Sequence, residues 1–119
     1  MAGLSELEIY KIAVDLSENG WIIYEGLPKT HKYHIGDQVL RSLDSIAANI
    51  AEGYGRYHYK DSLRFYYNAR GSLWEAKFWI ETLNKRNLII KDFYNPTLQM
   101  IEKEGVKLNN FINSIKRIL

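Results

Sequence analysis

Apolar residues recur at gaps of three and four along almost the whole chain, and no stretch shows the alternation of a strand. The first periodic segment covers 5–25, with a stripe at Ile9, Ile12, Leu16 and Ile23 flanked by Tyr10, Ala13 and Tyr24. Ser5 is placed to cap it, and Glu6 and Glu8 suit the positive end of a helix. Asn19-Gly20 would usually mark a turn, yet Trp21 to Tyr24 continue the pattern. The helix is therefore expected to carry Gly20, at a cost of about 1 kcal/mol that a close contact would offset. Residues 27–34 are polar, contain Pro28 and read as a loop.

A second helix is predicted over 36–52, with Val39, Leu43, Ile46 and Ile50 on one face. Gly53 and Gly55 follow and are expected to supply a left-handed stop. The third helix, 60–87, aligns Tyr66, Ala69, Leu73, Ala76, Ile80 and Leu83. At about 1.5 Å per residue it should be roughly 40 Å long. The fourth, 93–119, has the most regular stripe: Tyr94, Leu98, Ile101, Gly105, Leu108, Ile112, Ile115 and Leu119, with Pro96 expected in the first turn. Four amphipathic helices joined by short connections predict an all-α, up-down-up-down antiparallel four-helix bundle in one domain spanning 1–119.

The third helix has more apolar surface than one bundle face needs. Phe65, Tyr67, Trp74, Phe78 and Trp79 lie off its main stripe. They suggest a second burial surface, with Phe65, Trp74, Phe78 and Trp79 as candidates for an oligomer interface. At the seam between helices two and three the residues are small or polar instead. Ala69, Gly71 and Ala76 would allow close backbone approach, and Arg41, Ser45, Asn49, Glu52, Ser72 and Glu75 form a candidate structural polar network. Carboxylate-guanidinium pairing of Glu52 and Glu75 with Arg56, Arg70 or Arg41 is the expectation there, ahead of a metal or general-base role.

Composition adds exclusions. The 119 residues suffice for one core that buries roughly two thirds of the unfolded surface. Cysteine is absent, so no disulfide framework or thiolate metal site exists. Met1 to Ser5 lack the basic flank and apolar centre of a leader, and no apolar run reaches the roughly 20 residues of a spanning helix. A cytoplasmic protein without a membrane partner is expected. The formal net charge is only +2, but it is segregated: residues 1–28 carry five acids against Lys11, and residues 57–91 carry seven bases against Asp61, Glu75 and Glu81. Segments of opposite sign are expected to face each other within or between subunits.

No catalytic constellation emerges, and neither a metal nor a cofactor is expected. His31, His34 and His58 fall in predicted loops, without the spacing of a helical metal site. Gly53-Tyr54-Gly55 follows a helix rather than a strand, and Ser72 lies within a helix with no strand-to-helix elbow. What remains is a run in which bases alternate with rings: Tyr54, Arg56, Tyr57, His58, Tyr59, Lys60, Arg64, Phe65, Tyr66, Tyr67 and Arg70. Single-stranded nucleic acids are held this way, phosphates on cations and bases on aromatic faces, and Arg56, Tyr57, Lys60, Arg64 and Arg70 are the candidate contacts. Protein interfaces favour the same composition.

Gln38, Arg41, Ser45, Asn49-Ile50-Ala51-Glu52-Gly53 and Gly55-Arg56, followed by Ala69, Gly71-Ser72 and Glu75, strongly resemble the 23S rRNA-intervening-sequence protein family; Leu27-Pro28 also fits. The likeness spans most of the chain. It implies a bundle that assembles into a ring-like homo-oligomer, typically a pentamer, without known catalytic activity. Related bundles accompany diversity-generating retroelements, where they contact reverse transcriptase and nucleic acid. Gly20 and the aromatic run from Tyr54 to Tyr67 depart from the family pattern. Two readings follow: a non-enzymatic homo-oligomer that binds RNA or an RNA-associated protein, and a protein-protein adaptor with no nucleic-acid role.

Overall fold

Val39, Leu43, Ile46 and Ile50 are fully buried, so the stripe of the second helix is the inner face of the molecule. The computed structural model describes residues 3–119; Met1 and Ala2, part of the segment weighed as a leader, lie outside the described residues. Four long helices make up the bundle: α1 (Glu8–Gly26), α2 (Asp37–Tyr54), α3 (Tyr59–Lys85) and α4 (Lys91–Ile118). α1 and α3 each pack against α2 and α4, so α1 lies diagonally across from α3. The bundle measures 46 × 23 × 21 Å, as expected for antiparallel helices of this length. Among the described residues no helix is long and apolar enough to cross a membrane.

The core stripe of α3 is buried as expected from Tyr66 to Leu83. On α4, Ile101, Leu108, Ile112 and Ile115 are buried, whereas Leu119 is exposed. The segregated charges of α1 and α3 do not meet inside the chain. The ion pair that α1 makes joins Glu8 to Lys107 of α4, at 3.1 Å.

Several helix ends differ from expectation. Ser5 does not cap α1: it sits in a 3-10 turn, Leu4–Glu6, and Leu7 holds the capping position without a side-chain bond. The predicted loop after α1 is coiled into a helical turn, Lys29–His31, and a wider turn, Lys32–Gly36, that runs straight into α2. Leu27 and Ile35 are buried at its two ends, which anchors a segment whose centre is polar. Pro96 lies beyond the first turn of α4, inside the helix.

Neither Gly53 nor Gly55 is left-handed; no glycine in the described chain has positive φ. Gly53 is helical and serves as a notch instead. A Cβ there would lie 2.7 Å from Cε1 of Tyr66, whose ring also meets Phe111 edge-on with centroids 5.1 Å apart. The left-handed residue is Asn87, φ 57°, after α3. Its N–H bonds to the Asn84 carbonyl, and the Leu88 N–H to the Leu83 carbonyl, the paired closure that ends many helices. Gly20 behaves as expected, with Leu43 Cδ1 3.0 Å from where a Cβ would stand. Gly71 does not: it is exposed, and a Cβ there would meet nothing within 4 Å.

Hydrophobic periodicity passed over two buried polar residues of α4. Thr97 accepts a bond from Asn19 of α1. Glu104 is fully buried, and neither carboxylate oxygen has a hydrogen-bond partner among the described residues. Burial, with a smaller contribution from Glu8 and against the opposing field of Lys107, pushes its pKa up to about 8. The folded chain therefore holds a proton on Glu104 that the unfolded chain releases above the ordinary carboxylate range.

Two outcomes follow. Stability from Glu104 is greatest below about pH 4.5, falls as pH rises toward 8, and levels off beyond. Glu104→Met should match the wild type within about 1 kcal/mol at pH 4 and exceed it by about 2–4 kcal/mol at pH 8.5 in urea unfolding. A difference that does not change with pH would refute a titrating Glu104. Gly53→Ala should cost about 1–3 kcal/mol by overpacking against Tyr66, and less in a Tyr66→Leu background. An unchanged urea midpoint would show that the notch does not constrain packing.

Candidate nucleic-acid interface

The connection between α2 and α3 is only four residues, and backbone bonds fix it. Gly55 N–H bonds to Ala51 O at 3.1 Å and Arg56 N–H to Gly53 O at 3.2 Å. His58 is extended, and its carbonyl accepts both the N–H and the hydroxyl of Ser62, at 2.9 and 3.1 Å. The corner thus holds its side chains outward from a constrained backbone. Tyr57 is 94% exposed, with its ring edge-on to His58. Tyr59, Lys60 and Arg64 are exposed beside it on the first turns of α3.

The two arginines here already have partners. Arg56 meets Glu52 at 2.7 Å and Asp61 at 3.7 Å, and Arg64 meets Asp61 at 3.1 Å. Both guanidinium groups lie over the Phe65 ring, 4.5 and 4.4 Å from its centroid. With Lys60 the corner has three cations against two carboxylates. These ion pairs are solvent-exposed, so each is worth little, and a phosphate can replace a carboxylate on either guanidinium at small cost. Phe65 meanwhile orients the guanidinium planes.

Arg70 is not part of this cluster. It bonds to Asn109 of α4 at 3.2 Å and lies over Tyr67, on the other flank of α3. Phe65 likewise parts company with the predicted interface residues. It lies nine residues from Trp74, a half-turn offset on a helix, so the two point to opposite flanks. Trp74 and Phe78 are 66% and 57% exposed, and Trp79 packs edge-on against Phe78. Beside Trp74, a groove of about 240 Å³ runs between α3 and α4, floored by Leu73, Ile101 and Gly105.

The predicted polar network divides in the same way. Ser45 is its centre: Ser72 donates to its hydroxyl across the α2–α3 seam at 2.8 Å, and Asn49 donates to the same oxygen at 2.9 Å. Glu75 instead accepts from the Trp79 indole on its own helix, Arg41 is exposed, and Glu52 belongs to the corner. His31 and His34 belong to no cluster of three metal-binding side chains among the described residues. Tyr66, inside the core beneath the corner, has its phenol pushed up to about 12 by burial and by the neighbouring Tyr54 and Tyr59. The role of Asp61 escaped the sequence reading. Its spacing of five from Arg56 and three from Arg64 is visible in the chain, but only the turn geometry brings it between them.

No curated protein matches the sequence. A solved structure described as a protein of unknown function from the S23 ribosomal protein family of Bacteroides thetaiotaomicron superposes with a TM-score of 0.82. It is 21% identical and covers 87% of this chain and 97% of its own, which supports the bundle fold. The model of the 23S rRNA-intervening sequence proteins matches residues 5–110, taking in α1, α2, α3 and most of α4. The chain therefore belongs to the 23S rRNA-intervening sequence protein family.

Proposed function

We propose that this chain is a non-enzymatic, homo-oligomeric bundle that binds single-stranded RNA, in the cytoplasm, through the corner between α2 and α3. One observation carries the RNA reading: a rigid four-residue turn exposes Tyr57 almost completely beside Tyr59, Lys60 and Arg64, with Arg56 held at its edge. Exposed rings accept bases, and the cations accept phosphates. The name of the family, which ties its members to an insertion in large-subunit rRNA, agrees with such a partner. The exposed Trp74 and Phe78 favour the second reading, an adaptor for other proteins, and they lie on the opposite flank from Phe65.

Salt separates the two. Binding of a labelled single-stranded RNA through three phosphate contacts should weaken with a log-log salt slope of about −2. Arg56→Ala with Arg64→Ala should weaken it about tenfold or more and flatten the slope, with helical content unchanged. Tyr57→Ala should cost about 1–3 kcal/mol of binding with the slope retained. Undiminished RNA affinity in the double arginine variant would refute this site, and absence of any salt-sensitive RNA binding would favour the adaptor.

A further inference from the structure

We infer that Asp61 gates the corner: its carboxylate holds the place of a phosphate between Arg56 and Arg64, and RNA binds by displacing it. The inference rests on the RNA reading and names what regulates that site. Among the described residues, Asp61 is the one acidic side chain that pairs with both arginines. Its Oδ1 accepts from Arg64 Nη2 at 3.1 Å and its Oδ2 lies 3.7 Å from Arg56 Nε, whereas Glu52 pairs with Arg56 alone. Each carboxylate oxygen thus serves one guanidinium. A phosphodiester has two nonbridging oxygens in nearly the same arrangement, so a phosphate seated there takes over both pairs where the cations already stand.

The cations do not depend on Asp61 for their position. Both guanidinium groups lie over the Phe65 ring, and Glu52 holds Arg56 at 2.7 Å through its Nη2, not the Nε that faces Asp61. The carboxylate, for its part, has a second place to go. α3 begins at Tyr59 behind His58, whose side chain makes no capping bond. Asp61 is the third residue of that helix, in the first turn, where free N–H groups and the helix field favour a carboxylate. The side chain therefore has two stations, on the arginines or against the open start of its own helix, and a phosphate on the arginines decides between them. Both ion pairs are solvent-exposed, so the gate sets affinity by a modest factor and does not close the site.

Fluorescence anisotropy with a labelled oligouridylate tests this on the full chain at low salt, with circular dichroism to confirm that each variant folds. Asp61→Asn should tighten binding about threefold to tenfold, because two ion pairs no longer have to be broken. Glu52→Gln removes the same charge from the same corner but frees one arginine only, and should gain less. With Arg56→Ala and Arg64→Ala already in place, Asp61→Asn should change the remaining affinity by less than about twofold. An equal gain with and without the arginines would reveal an effect of net charge alone and overturn the gate. Absence of any gain would overturn it too, and in both cases RNA binding by the wild type would stand. No RNA bound by either the wild type or Asp61→Asn would overturn the RNA reading and the gate together.

Discussion

The seat of the Tyr66 ring against Gly53 is the contact on which the rest of the structure depends. It brings the end of α2 and the start of α3 together at a distance that any side chain at Gly53 would prevent. Phe111 packs edge-on against the same ring and ties α4 to this point. One half-helix further along, Ser72 and Asn49 converge on the Ser45 hydroxyl, so the seam is close where it turns and hydrogen-bonded in its middle. A hydroxyl pair across a narrow seam satisfies its polar atoms and also fixes rotation of one helix against the other, which apolar contacts alone do loosely. That rotation decides which residues of α3 face outward. The exposed corner and the exposed aromatic face are therefore consequences of how this seam packs.

Glu104 is a counterweight. Its carboxyl is buried beside the Glu8 and Lys107 pair without a hydrogen-bond partner, and burial keeps it protonated over most of the neutral range. A residue of similar volume without charge would pack there at lower cost. The α1–α4 seam thus holds a destabilising group while the α2–α3 seam holds a satisfied one. Local opening, where it occurs, should begin with α1 and α4 rather than at the corner.

Most of the fold was legible because a long amphipathic stripe admits few alternatives: Val39 to Ile50 and Tyr66 to Leu83 are buried as their spacing dictates. The misreadings fall where one residue type serves two purposes. Gly53 reads as a helix stop, but a glycine also admits a ring, and Tyr66 is thirteen residues away in the chain. Gly71 reads as a seam residue, yet it is on the outside. Glu104 follows the periodicity of the core while having the chemistry of the surface, and periodicity and chemistry cannot be weighed against each other without the packing. At the candidate site the sequence placed Arg56, Tyr57, Lys60 and Arg64 together because they are close in the chain. It misplaced Arg70, since a position six residues further along a helix points to a different flank.

α3 serves three surfaces at once. Its core face carries Leu73 and Ile80; the first turns carry the cations of the corner; the outer side further along carries Trp74 and Phe78. Lys60 and Arg64 stand seven residues before Tyr67 and Gly71, so the corner cations and the exposed rings are separated along α3 rather than around it. In the proposed homo-oligomer each subunit has one corner, with modest affinity from a net excess of one cation. Repetition makes such weak sites effective on a long single strand: once one corner is bound, the next engages at the local concentration set by their spacing rather than the bulk. The corner contributes three of the chain's sixteen cations, on and beside a turn that backbone hydrogen bonds hold in place.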